Sequence, residues 1–189
     1  MHICFLTNEY PKPGFPHGGL GSFVKTIAEA LVRNGIQVSV IGLNYTPSNE
    51  TENVNGVTII RIQKSTVKGL AWYFNSKNIA KTIATIHQKN PIHIVEGSEL
   101  SLAFLPKIKD LKYVIRLHGG HHFFAEAENR GINSWKGFQE KRSFKKADAF
   151  IAVSNYVKMH TANYLSYRNT AVEVIFNPIN SQLFYPQEI

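Results

Sequence analysis

The chain has 189 residues, 43% hydrophobic and 18% charged, which suits one well-filled globular domain and excludes a disordered segment or a disulfide-stapled miniature. Lys and Arg number 21 against 13 Asp and Glu, a net charge of +8 that favours either anionic partners or simply a basic solubilising surface. The single cysteine, Cys4, cannot close an internal disulfide, the start is too short and weakly basic for a signal peptide, and no apolar run reaches the ~20 residues of a membrane span, so a cytoplasmic location is expected.

In chain order, residues 3–7 predict a first strand, with Cys4 inside it as a small core residue. A loop over 8–20 follows, rich in Pro and Gly. Residues 22–34 predict a helix with Phe23, Ile27, Ala30 and Leu31 on one face and Gly35 at the expected cap. Residues 36–43 predict a strand, 44–56 a polar surface loop, and 57–62 a β-branched strand. Residues 70–89 predict a helix with Trp72, Ile79, Ile83 and Ile86 on one stripe, ended by Pro91. A strand over 92–96 leads to Ser98, placed to cap a short helix that stops at Pro106. A strand over 113–117 runs into His118-Gly119-Gly120 and a loop to Asn133. Asn133 or Ser134 then caps a helix to about residue 147, residues 148–153 predict a strand, Ser154 caps a helix to about residue 165, and 172–176 predict the last strand.

Strand and helix alternate throughout. That pattern predicts an α/β fold with a mostly parallel sheet and helices on both faces. Ligands of such sheets bind beyond the C-terminal strand ends, which here are the loops 8–20, 97–99, 118–133 and 154–155. In the first, Gly18-Gly19-Leu20-Gly21 opens a helix, where bare backbone N–H groups attract an anion. It lacks the third glycine of a dinucleotide fingerprint and the Lys-Ser/Thr of a Walker loop, and could also be a plain turn. Leu43-Asn44 offers no acid at the end of the second strand, which disfavours a dehydrogenase. No aromatic stacking motif of the RNA-binding type is present, so no nucleic-acid partner is expected. His118, His121 and His122 are closely spaced, yet no cysteine or carboxylate motif accompanies them, so no metal site is expected.

Several segments together resemble family-4 retaining glycosyltransferases. Gly18-Gly19-Leu20-Gly21-Ser22-Phe23-Val24, Ile27-Ala28-Glu29-Ala30-Leu31 and Gly35-Ile36-Gln37-Val38-Ser39-Val40 are similar to that family's opening, with Ile36 in place of a common His. Val114-Ile115-Arg116-Leu117-His118-Gly119 resembles its strand-ending His-Gly, and Ala147-Asp148-Ala149-Phe150-Ile151-Ala152-Val153-Ser154 its Ala-Asp segment. Val174-Ile175-Phe176-Asn177-Pro178-Ile179-Asn180, followed by Leu183-Phe184-Tyr185-Pro186, resembles the stretch that closes the first domain, with Pro178 replacing Gly and Asn180 replacing Asp.

The resemblance implies the first, acceptor-side half of a GT-B fold, Rossmann-like, spanning 1–189. It implies retaining transfer from a nucleotide-sugar donor to a saccharide or lipid-linked acceptor, as in polysaccharide biosynthesis, with no metal and no further cofactor. The donor-binding half, with its Glu-x7-Glu element, would follow Pro186, so this chain is expected to lack it and to be inactive alone. By the same resemblance, Gly18, Gly19, Leu20 and Gly21 face the donor diphosphate or the acceptor; Glu9 and Tyr10, which open the loop, could face the same cleft. His118 is the catalytic candidate, a hydrogen-bonding group near the transferred sugar. Glu96, Ser98, Glu99, Gly119, His121, His122 and Ser154 are candidate acceptor contacts. Glu96, Ser98 and Glu99 also read as a helix cap with first-turn acids, and Ser154 as an N-cap first. Residues 135–146 carry Lys136, Lys141, Arg142, Lys145 and Lys146, either a solvated face or a peripheral contact with the inner membrane face. The competing reading is a self-contained Rossmann-like module that binds a nucleotide or another anion without catalysis.

Overall fold

All five residues of the first strand, β1 (His2–Leu6), are buried, because this strand lies inside the sheet with helices over both faces. In the computed structural model, which describes residues 1–179, it is followed by α1 (Gly19–Arg33), β2 (Gln37–Leu43), β3 (Glu50–Val54), β4 (Val57–Ile62) and α2 (Ala71–Lys89). The chain continues through β5 (Ile94–Gly97), β6 (Lys112–Leu117), α3 (His121–Ala127), α4 (Ser134–Phe144), β7 (Ala149–Ala152), α5 (Asn155–Ala162) and β8 (Val172–Val174). The eight strands lie in the order β3-β4-β2-β1-β5-β6-β7-β8. Every neighbouring pair is parallel except β3 with β4. The expected Rossmann-like α/β sheet is therefore present. Asn180 and residues 183–186, which enter the family resemblance, lie outside the described residues.

Side-chain alternation sorts the core into two layers. Ile3 and Phe5 point to one face, where Phe23, Val24 and Ala28 of α1 cover them. Cys4 and Leu6 point to the other, packed with Ile83 of α2, Phe144 of α4 and Val157 of α5. Burial pushes the Cys4 thiol up to about 12, so it is an inert core group. Helix α1 ends in a Schellman motif, with Ile36 N–H donating to the Leu31 carbonyl and Gly35 N–H to that of Val32.

Three segments differ from the sequence expectation. The loop expected over 44–56 contains β3, an antiparallel edge strand whose polar residues alternate between half-buried and exposed. Its turn is Asn55-Gly56, both with positive φ (51° and 83°), the signature of a tight hairpin. Ser98 caps no helix; residues 99–102 form turns, and Ser98 N–H donates to Ser101 Oγ at 3.0 Å. The long loop expected over 118–133 contains the seven-residue helix α3.

Candidate functional site

From β1 the chain builds outward to β2, β4 and β3, then returns to the other side of β1 for β5 and its successors. Loops leaving β1 and β5 therefore diverge, and a crevice opens between them at the C-terminal edge of the sheet. A cavity of about 700 Å³ occupies this switch point. It is lined by Glu9, Gly19 and Leu20 after β1, by Ser98 and Glu99 after β5, and by His118, Gly119 and His121 after β6. These sequence candidates, far apart in the chain, line one cavity.

The glycine loop is open. The N–H groups of Gly19, Leu20 and Gly21 form the first turn of α1 and have no acceptor among the described residues. The fifteen-residue helix behind them adds the positive end of its dipole. The Cα of Gly21 packs on the Glu9 carbonyl, so a Cβ there would collide with backbone. Gly18 N–H donates to Glu9 Oε2 at 3.0 Å, which places that carboxylate beside the bare amides.

The second wall is closed by two buried carboxylates. Glu99 Oε1 accepts from His118 N–H at 2.7 Å and from Gly119 N–H at 3.0 Å. Glu140 of α4, with no exposed surface, accepts from the N–H groups of His121 and His122 and meets His122 Nδ1. A Cβ on Gly120 would strike Glu140, so only glycine lets the loop approach it. Burial pushes Glu99 up to about 7 against the pull of its amide donors, with the nearby Glu140 charge adding to the rise. His121 Nε2 accepts from Asn133 N–H at 2.8 Å, and Asn133 in turn caps α4. Burial first, and then several nearby cations set against Glu140, leave the His121 ring below its ordinary value.

His118 stands where the two walls meet. Its ring packs edge-on to Phe23 at 4.7 Å, half-buried. Burial, helped by the Arg116 charge, lowers its pKa to about 4. The ring is therefore neutral near pH 7 and can donate one hydrogen bond and accept another.

Six candidates are placed elsewhere. Glu96 is buried in β5 and grips Arg116 of β6, with Nε at 2.6 Å and Nη2 at 3.3 Å, beneath Phe23. Tyr10 is buried in the core layer under α1. His122 is turned under its loop onto Glu140. Ser154 caps α5, accepting from Val157 N–H at 3.1 Å. Gly18 and Gly21 support the glycine loop without lining the cavity. The sequence reading missed Gly120, Arg130 and Lys136 on the cavity wall, and Glu140 behind it. Lys136 has no anionic partner among the described residues and adds positive charge to the rim.

A family profile described as Glycosyltransferase Family 4 matches residues 17–183. A Methanocaldococcus jannaschii protein named as an uncharacterised glycosyltransferase is 30% identical over 192 residues, covering 95% of this chain and 47% of that relative. Among solved structures, a sucrose-phosphate synthase from Thermosynechococcus elongatus superposes with a TM-score of 0.77 at 16% identity, over 98% of this chain and 50% of the other. The catalytic domain of Starch Synthase IV from Arabidopsis thaliana, bound to ADP and acarbose, gives 0.57 at 12% identity, over 96% of this chain and 52% of the other. At these identities the structural likeness shows the fold. The chain spans about half the length of these relatives.

Proposed function

The chain belongs to glycosyltransferase family 4, and from that premise we propose that it forms the acceptor-side half of an enzyme that moves a sugar from a nucleoside-diphosphate donor to an acceptor hydroxyl, with retention of configuration. The observation that carries this reading is the joint placement of the bare α1 amides at Gly19 and Leu20 with the neutral His118 ring in one switch-point cavity. As the bond from the anomeric carbon to the diphosphate breaks, negative charge grows on the departing oxygen. Aligned amides and a helix N-terminus stabilise that charge without a metal. His118, being neutral, can hydrogen-bond a sugar hydroxyl while its proton stays in place.

The donor-binding half lies in a further domain, so this half alone binds nucleotide sugar weakly and transfers nothing. The acceptor is a saccharide or a lipid-linked saccharide, the reaction serves polysaccharide assembly, and the enzyme works in the cytoplasm. The test uses the full-length protein with UDP- and GDP-sugars, reading the anomeric configuration of the product by NMR. Calorimetry on residues 1–189 supplies the counter-test. Tight nucleotide-sugar binding by this half would overturn the divided site and favour a self-contained anion-binding module.

A further inference from the structure

A group of aromatic side chains lies on the surface beside the cavity. Trp72, Tyr73 and Phe74 begin α2, and all three are exposed. Consecutive helical residues point about 100° apart, so packing against one sheet cannot account for three such rings in a row. Trp72 continues into Phe104, with centroids 4.3 Å apart, and Phe104 into Trp135 at 5.5 Å. Trp135 stacks on Phe138 at 5.7 Å. Trp135 is 49% and Phe138 47% exposed. The chain's two tryptophans are both in this patch. Contiguous exposed apolar surface of this kind marks a contact site.

Its charge surroundings are one-sided. Between Glu52 and Glu96 there is no acidic residue, while five lysines occur. Helical spacing puts Lys77 and then Lys81 along the exposed stripe that starts at Tyr73 and Phe74. On α4 the exposed cations Lys141 and Arg142 flank Trp135 and Phe138, and Lys145 follows at the helix end. The lone carboxylate of α4, Glu140, is fully buried. Arg142 stands 5.6 Å over the Phe104 ring.

We infer that this face, centred on Trp72, Phe104, Trp135 and Phe138, docks the protein on an anionic lipid bilayer. Tryptophan and tyrosine rings settle at the headgroup level, and lysines beside them are attracted by anionic lipid. No helix among the described residues is long and apolar enough to cross a membrane, so the contact is made at the bilayer surface. A polysaccharide platform fits less well, because Trp72 and Trp135, the rings best suited to carry a sugar face, stand at 68° to each other. Lys136 lines the cavity next to Trp135, so the docked face opens directly onto the proposed acceptor site. The surface rests on the proposed function only for what it delivers there, a lipid-linked acceptor.

The test is co-sedimentation of the full-length protein with phosphatidylcholine vesicles, with and without phosphatidylglycerol. Binding to the anionic vesicles alone is expected, weakening with salt. Trp72→Ser with Trp135→Ser should weaken it about tenfold or more, and Lys141→Glu with Lys145→Glu by a similar factor. Circular dichroism melting checks that both variants remain folded; if the tryptophan pair does not, Phe138→Ser alone is used. The docking idea is overturned if wild type ignores anionic vesicles, or if the aromatic variants bind as well as wild type and net charge alone explains binding. It is also overturned if the patch instead joins two copies in lipid-free solution, seen as a dimer that the tryptophan variant abolishes. Transfer to a water-soluble acceptor separates the two readings. A protein that docks through this face but transfers no sugar refutes the proposed function and keeps the surface, and the converse result refutes the surface alone.

Discussion

Two glycine-bearing turns leave neighbouring parts of the same sheet edge and each opens a helix, yet their backbone amides have opposite fates. At Gly18–Gly21 the first-turn amides of α1 remain without an acceptor. At His118–His122 the corresponding groups are taken by Glu99 and Glu140. A glycine-rich helix start attracts an anion, but a carboxylate of the chain's own can occupy the position first. The first turn keeps its amides open, and the second is a fixed wall that holds His118 beside it.

The strongest way to break this contrast is Glu140→Ala. The substitution orphans two buried amides and the ring partner of His122, and should cost about 3–5 kcal/mol of stability in urea denaturation. A loss below about 1 kcal/mol would mean that the wall stands without its carboxylate. Glu140→Gln, which keeps an acceptor, should lie between these values.

Glu99 sharpens the contrast through pH. Its carboxyl titrates at about 7 in the folded chain against an ordinary 4.5, so the folded state holds the proton more tightly than the unfolded chain does. The stability linked to that proton is complete below about 4.5 and is lost as pH rises through about 7, on the order of 3 kcal/mol at most. Thermal melts from pH 5 to pH 8 should fall for wild type, and the Glu99→Gln curve should be flatter. Superimposable curves would place the Glu99 ionisation in the ordinary carboxylate range.

Next in size is a pair of alanines in the open turn. Gly21→Ala drives a Cβ into the Glu9 carbonyl and should cost about 2 kcal/mol. Gly19→Ala meets nothing within 4 Å, so stability should stay within about 0.5 kcal/mol. The new methyl group projects where the ligand approaches the bare amides, so transfer by the full-length enzyme should fall about tenfold or more. Full activity in Gly19→Ala would remove the glycine loop from the site.

The sheet was legible because its strands are short, β-branched and spaced by helical stripes, a signal that survives without knowledge of neighbours. Edge strand β3 was not, since a half-exposed polar strand carries little hydrophobic pattern; Asn55-Gly56 was the available clue. In the candidate site, the residues read in loops at strand ends, including Glu9, Gly19, Glu99 and His118, line one cavity. Glu96 and Glu99 look equivalent in sequence, three apart at the end of one strand. Pleating turns Glu96 to Arg116 on the neighbouring strand, while Glu99 turns under the His118 loop. Glu140 was illegible for a different reason: one acid on a basic helix reads as a solvated charge, and only the tertiary fold shows which amides it meets.

The smallest effect concerns Glu9, the one carboxylate among the described residues that hydrogen-bonds the open turn. It holds Gly18 N–H at 3.0 Å on the surface, one residue short of the bare amides, and lines the cavity with Gly19. Its negative charge therefore opposes any anion seated on the same helix end, while solvent screens most of that repulsion. Glu9→Gln keeps an oxygen acceptor for the Gly18 amide and removes the charge. Affinity of the full-length enzyme for the nucleoside diphosphate should rise a few-fold, about 1 kcal/mol or less, with the gain shrinking as salt is added. Calorimetry at two salt concentrations measures both quantities. Weaker binding would show that the Glu9 carboxylate contacts the sugar itself, and that the first turn, like the second, depends on an acid of its own.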